Sequence, residues 1–210
     1  MEFNKALKKH FMFRTNFGRD NLPILASEAS HPYNYNNWGR KGLGRLMRDL
    51  GYTRGVEIGT NTGWSARCWC ARNHRMHLTC VDPYSTYSAR GSQKKQDSNY
   101  EKALAALKPY NAEIIRECSL DVVDSFEDDE LDFVHIDGDH TFDPVMQDLI
   151  RWAPKVQENG LIMLHDYCVF THAGIIEAVN AYTTCHRIDP WFVTRDSTPT
   201  AFWRKGAACI

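Results

Sequence analysis

Gly55-Val-Glu-Ile-Gly-Thr-Asn-Thr-Gly63 runs from apolar residues to an acid and then through two glycines. Trp64-Ser-Ala-Arg-Cys-Trp-Cys70 follows and is helix-compatible. The order reads as a buried strand, a tight loop and a helix N-terminus. Gly59, Thr60 and Gly63 sit where a ligand would approach backbone, and the helix start offers N–H groups with no intrahelical partner. Glu57 is the discriminating residue. A dinucleotide loop presents its glycines to a pyrophosphate, which a carboxylate repels. A ligand carrying an ammonium and a sulfonium is attracted by it. The plain alternative is an ordinary strand-to-helix turn.

Outward from this loop, the chain alternates strands and helices. Upstream, Gly39 to Leu50 carries Leu43, Leu46, Met47 and Leu50 at helical spacing, closed by Gly51. Downstream, Met76 to Asp82 reads as a second strand ending in an acid. Asp82 lies about 20 residues past the glycine loop, where nucleotide-binding folds place a ribose-binding carboxylate. Tyr84 to Asn99 is polar and basic and reads as a mobile loop, with a helix only from Tyr100 to Leu107. Ala112 to Cys118 reads as a third strand, with Ser119 beside an adenine ring if the crevice holds a nucleotide. Leu131 to Asp137 and Gly160 to Asp166 read as the fourth and fifth strands, with helices over Phe142–Trp152 and Ala173–Tyr182. Trp191–Thr194 and Thr200–Trp203 close the chain as a hairpin.

That alternation predicts a doubly wound, mostly parallel α/β sheet in a single domain. Ligands in such sheets bind beyond the carboxyl ends of the strands, where strand order reverses. Four strands end in acids, Glu57, Asp82, Asp137 and Asp166, and converge there. Residues 1–38 form an aromatic and polar segment ahead of the domain at 39–210, packing on the sheet edge or folding over the pocket as a lid.

Composition narrows the classes. The chain has 210 residues, 43% hydrophobic and 24% charged, with a net charge of -1. That balance gives no footprint for nucleic acid. No apolar run spans a bilayer, and the first ten residues lack a signal-peptide core. Seven cysteines without a secretory signal point to reduced thiols in the cytoplasm. Cys68 and Cys70 have the wrong spacing for a zinc knuckle and read as packing residues.

Glu57-Ile-Gly59-Thr-Asn-Thr-Gly63, Asp82, Val134-His-Ile-Asp137-Gly138-Asp139-His140 and Leu164-His165-Asp166 resemble the class I S-adenosylmethionine-dependent methyltransferases. More narrowly, they resemble the branch with the macrocin and mycinamicin sugar O-methyltransferases and relatives of cephalosporin hydroxylase. The resemblance covers Gly39 to the C-terminus. It implies a seven-stranded Rossmann-like sheet with the last strand antiparallel, and S-adenosylmethionine contacts at Glu57, Gly59, Gly63 and Asp82. It also implies a divalent ion, Mg²⁺ or Mn²⁺, held by Asp137 and the His165-Asp166 pair, with His140 as the base. His165 stands where the sugar enzymes carry an acid. If it coordinates, Mn²⁺, Fe²⁺ or Zn²⁺ becomes the better match.

The residue types suit that chemistry. Methyl transfer from a sulfonium is an in-line displacement, so alignment and a nucleophilic acceptor are the requirements. A cation lowers a hydroxyl's pKa and an imidazole takes its proton. The expected partner is a small hydroxylated molecule, a sugar or polyhydroxylated metabolite, with no nucleic acid or membrane. The aromatic N-terminal segment offers a surface to a second subunit. Two alternatives stand beside this reading: a nicotinamide-dependent oxidoreductase, for which the loop lacks the third glycine, and a non-catalytic nucleotide-binding module. His135 reads as a core histidine, and Asp139 as a cap for the helix after His140.

Overall fold

The computed structural model describes residues 1–13, 24–27, 38–86, 91–168, 174–194, 196 and 198–206. In order these form α1 (Phe3–His10), β1 (Phe11–Phe13), β2 (Ile24–Ser27), α2 (Trp38–Leu50), β3 (Arg54–Ile58), α3 (Trp64–Cys70), β4 (His77–Val81), α4 (Gln93–Leu107) and β5 (Ala112–Ile115). There follow α5 (Ser119–Val122), β6 (Leu131–Ile136), α6 (Phe142–Trp152), β7 (Val156–Leu164), α7 (Ile175–Cys185), β8 (Phe192–Thr194) and β9 (Ala201–Arg204).

The strands of the described residues join one sheet in the order β1-β2-β8-β9-β7-β6-β3-β4-β5. The run β7-β6-β3-β4-β5 is parallel, and β9 lies antiparallel to both β7 and β8. Those seven strands are the expected doubly wound sheet with its last strand antiparallel. Two more strands extend it: β2 runs parallel to β8, and β1 pairs antiparallel with β2. Three- and four-residue strands carry too little alternation to be read from sequence.

The sheet separates two cores. Leu43, Leu46, Met47, Trp69, Leu78, Phe133 and Phe202 fill the face under α1, α2 and α3. Val56, Ile58, Val134, Leu149, Trp152, Ile162 and Val179 fill the face under α5, α6 and α7. The helix α1 is tied to α2 through Asp49, whose carboxylate accepts from Lys9, His10 and Arg48 at 2.5, 2.8 and 3.0 Å.

The chain departs from the sequence reading at α4. A mobile loop is expected to Asn99, whereas the helix begins at Gln93. Its buried stripe is Gln96, Asn99, Ala103 and Leu107, so the first two inward positions are polar and apolar periodicity misses them. Asn99 Nδ2 donates to Asn61 Oδ1 at 2.8 Å, which ties the helix to the glycine loop.

From β3 the chain winds through β4 and β5 to one side, then returns to place β6 and β7 on the other. The reversal falls between β3 and β6. Their carboxyl ends are stitched by Asp137 N to Ile58 O at 2.8 Å, and Gly59 N reaches Val81 O at 2.8 Å. Crevices form at such points because the two connections leave in opposite directions.

Candidate active site

A cavity of about 350 Å³ opens at this reversal. Gly59, Asp82, Ser119, Gly138 and Asp148 are among the residues that line it, with Ile58, Val81 and Leu120 as apolar walls. Asp82 is fixed by two backbone donors, Asn61 N at 2.8 Å and Tyr84 N at 2.9 Å. The carboxylate is thereby oriented at the strand end, with lone pairs left to accept from a diol. Ser119, at the first turn of α5, donates its hydroxyl to Asp148 Oδ1 at 2.5 Å.

The glycines serve the protein's own packing. A Cβ on Gly59, at φ +83°, would lie 2.0 Å from the carbonyl oxygen of Asp137. Gly63, at φ +73°, lets α3 approach Ala103 of α4. The loop is therefore shaped to bring β3 against β6, and Gly59 still reaches the cavity wall. Thr60 is buried in the turn, where its carbonyl accepts from Gly63 N at 2.8 Å. Neither Thr60 nor Gly63 is part of the cavity lining.

Glu57 points into the protein rather than into the cavity. It is 1% exposed. Burial, with Asp137 and Asp82 nearby and Arg40 opposing, pushes its carboxyl well above the usual range. Its neighbour across the sheet is His135, whose Nδ1 is 3.6 Å from Glu57 Oε1. Burial holds that histidine near 3, and its ring packs edge-on to Trp69 at 4.6 Å, which makes it a core residue.

The second cluster stands at the ends of β6 and β7. Asp137, His140 and Asp166 each present one ligand atom within 4.8 Å of the others. His140 Nε2 is 3.5 Å from Asp137 Oδ1 and 3.6 Å from Asp166 Oδ2. Those separations are at or beyond the limit of good hydrogen bonds. The two carboxylates suit a divalent ion, and the His140 imidazole faces both of them. The donor set fits a divalent cation. Asp166 holds φ +59°, a left-handed conformation a non-glycine residue adopts at a cost of about 1 kcal/mol or more.

His165 lies behind this trio, not in it. Its Nδ1 is 3.0 Å from Asp166 Oδ1 and 3.3 Å from Asp137 Oδ1. Its Nε2 is 2.5 Å from Arg40 Nη2. Burial disfavours a charged ring, but Asp137 and Asp166 favour it strongly enough to raise its pKa against burial and Arg40. The Arg40 contact decides the state in this geometry. Arginine has no lone pair, so Nε2 must accept, and the ring proton sits on Nδ1 facing the carboxylates. Burial works against charge on Asp137, yet His165 and His140 hold its carboxyl well below the ordinary range. Asp139 accepts from Thr141 N at 2.8 Å and from its hydroxyl at 2.6 Å, closing the turn before α6.

Arg40 and Asp148 escaped the sequence reading. Asp148 shares its buried stripe with Val145, Leu149 and Trp152, so an acid on an apolar helix face was the available signal. Arg40 sits in a first turn with no acid, against the helix dipole, which is a fainter one.

Burial, with Asp139 adding to it and Ser119 opposing, raises the Asp148 carboxyl to about 6. The folded state thus binds this proton more tightly than the unfolded state does. The stability it contributes is present below about 4 and is lost as pH rises through about 6. Asp148→Asn is therefore expected to raise stability at pH 7.5 by up to about 3 kcal/mol and to change it little at pH 4. Thermal melts of both proteins across that range check the sign.

The comparisons with known proteins bear on this geometry. A methyltransferase-domain family model matches residues 56–167, just over half the chain, from β3 to the residue after Asp166. The chain belongs to this methyltransferase family, and its sheet and glycine loop make it a class I S-adenosylmethionine-dependent methyltransferase. It is 27% identical over 160 residues to protein y4gI of Sinorhizobium fredii, covering 72% of this chain but only 17% of that one. Its fold is similar to the O-methyltransferase TomG of Streptomyces achromogenes, solved with S-adenosylmethionine (TM-score 0.59, 15% identity, 80% and 79% of the two chains). It is also similar to an O-methyltransferase of Bacillus cereus solved with S-adenosylhomocysteine (TM-score 0.59, 14% identity, 79% and 80% covered). At these identities the likeness is one of fold. Among the described residues, no helix is long and apolar enough to cross a membrane.

Proposed function

We propose that the chain transfers the methyl group of S-adenosylmethionine to a hydroxyl of a small hydroxylated acceptor, a sugar or polyhydroxylated metabolite. The observation that carries this is the placement of two sites at one sheet edge. Gly59, Asp82 and Ser119 line the cavity, and Asp137, next to Gly59, leads into the trio with His140 and Asp166.

Asp82 accepts from the ribose hydroxyls, its orientation set by Asn61 and Tyr84. Ser119 stands at the adenine end. Asp137 and Asp166 hold the divalent ion, Mg²⁺ or Mn²⁺. When bound, that ion lowers the pKa of the acceptor hydroxyl. His140 takes the hydroxyl proton at Nε2. His165 donates its Nδ1 proton to the carboxylates and keeps their oxygens aimed, and Arg40 fixes the His165 ring. Aligning acceptor oxygen, methyl and sulfur is the remaining task, supplied by rigid strand ends.

The test is calorimetric titration with S-adenosylhomocysteine. One site per chain is expected, and Asp82→Asn, which keeps the shape, weakens it about 10- to 100-fold through two charge-assisted hydrogen bonds. Absence of binding to the unaltered chain contradicts the reading. Tighter binding of a nicotinamide dinucleotide favours the oxidoreductase instead.

A further inference from the structure

A separate groove of about 540 Å³ runs along the outer face of α3, between α2 and the end of α4. Lys41, Thr62, Trp64, Arg67, Arg72 and Tyr110 line it, and among the described residues its lining contains no carboxylate. The whole chain is nearly neutral, with a net charge of -1, so this concentration of cations is local. Burial raises the pKa of the neighbouring Cys68 thiol, while Arg72 and Lys41 of the groove, with Arg40 and Arg45, act against that rise.

The aromatic residues add a second requirement. Trp64 is 45% exposed, whereas Trp69, Trp152 and Trp203 are buried. Trp64 and Arg67 are one helical turn apart and both face solvent along the groove. An exposed tryptophan among cations, without an acid, suits a ring that carries negative charge.

The start of α2 serves both the groove and the cluster at the ends of β6 and β7. Arg40 and Lys41 are consecutive on α2, and successive side chains on a helix diverge by about 100°. Arg40 reaches His165 and Asp137, while Lys41 turns into the groove. Thr62 and Trp64 flank Gly63 in the loop after β3. Trp69 Nε1 donates to Arg40 O at 3.1 Å, so α3 and the start of α2 are locked together.

We propose that this groove binds a phosphate-bearing part of the acceptor, with Trp64 and Tyr110 covering its sugar or base ring and Arg67, Arg72 and Lys41 holding the phosphates. Calling the ligand the acceptor rests on the methyltransferase reading; the binding itself does not. Arg72 Nη1 already donates to Cys68 O at 2.7 Å, so its guanidinium is fixed in place. Arg67 is the exposed and adaptable member of the pair.

The experiment follows tryptophan fluorescence during titration with uridine diphosphate and with inorganic pyrophosphate. Saturating S-adenosylhomocysteine is present so that the cofactor cavity is filled. A saturable change is expected for both, tighter for uridine diphosphate, whose rings have aromatic partners. Trp64→Phe abolishes the signal. Arg67→Ala weakens binding about tenfold by calorimetry, and Arg67→Glu weakens it further. Melting curves establish that each variant is folded.

No saturable change, or affinity indifferent to Arg67→Glu, overturns the proposal. So does binding that S-adenosylhomocysteine competes away, since the ligand then sits in the cofactor cavity. Salt-sensitive binding of a single-stranded oligonucleotide without binding of uridine diphosphate overturns it in favour of a polymer. The S-adenosylhomocysteine titration of the same samples reports the cofactor reading separately.

Discussion

His140→Gln is expected to lower kcat by about two to four orders of magnitude, the usual contribution of a positioned general base. S-adenosylhomocysteine should bind the variant as it binds the parent, because His140 lies outside the cavity lining. The imidazole Nε2 faces both Asp137 and Asp166, so His140→Gln removes the proposed proton acceptor and leaves both carboxylates in place. Mn²⁺ affinity, followed by electron paramagnetic resonance, separates two roles. Unchanged affinity assigns His140 to proton transfer. A loss of affinity that parallels the loss of kcat assigns it to the ion's ligand set.

Gly59→Ala carries the largest structural effect. Its Cβ would stand 2.0 Å from Asp137 O, 2.5 Å from Asp137 C and 2.7 Å from Gly138 Cα, all backbone. Nothing flexible is there to give way, and φ +83° strains any side chain. Destabilisation of about 3 kcal/mol or more is expected from strain and overpacking together. Folded molecules that survive must move Asp137 away from His140 and Asp166, so Mn²⁺ affinity and activity fall with stability. Urea denaturation measures the first effect. A variant as stable as the parent contradicts the packing described at the β3–β6 junction.

Much of this arrangement was legible beforehand because strands announce themselves through continuous apolar runs closed by a polar residue. Val56 to Ile58, Leu78 to Val81 and Phe133 to Ile136 are buried on both faces, and their terminal acids fall at one edge as a matter of parallel topology. Chain order says less about where a side chain points. Glu57 precedes the strand end by one residue, so it faces the core while Gly59, two residues on, lines the cavity. His165 and His140 were both candidates in the sequence, and the fold brings both beside Asp137 and Asp166. Which of them joins Asp137 and Asp166 depends on loop conformations, including the left-handed Asp166, that no spacing encodes. Arg40 enters from a helix nearly a hundred residues ahead of Asp137, which only the tertiary fold brings near. Gln96 and Asn99 were lost because polar residues occupied inward helix positions, the one case in which hydrophobic periodicity points the wrong way.

The cavity and the Asp137–His140–Asp166 cluster share one sheet edge, and the proposed reaction needs the donor in the first and the ion in the second. A crystal structure of the chain grown with S-adenosylhomocysteine and Mn²⁺, with data at the manganese absorption edge, examines both at once. The expected result is adenosine in the cavity with its ribose on Asp82, and an anomalous peak touching Asp137 and Asp166 on the side of the sulfur. Nucleoside density away from Asp82, or manganese bound elsewhere with the two aspartates bare, would contradict it.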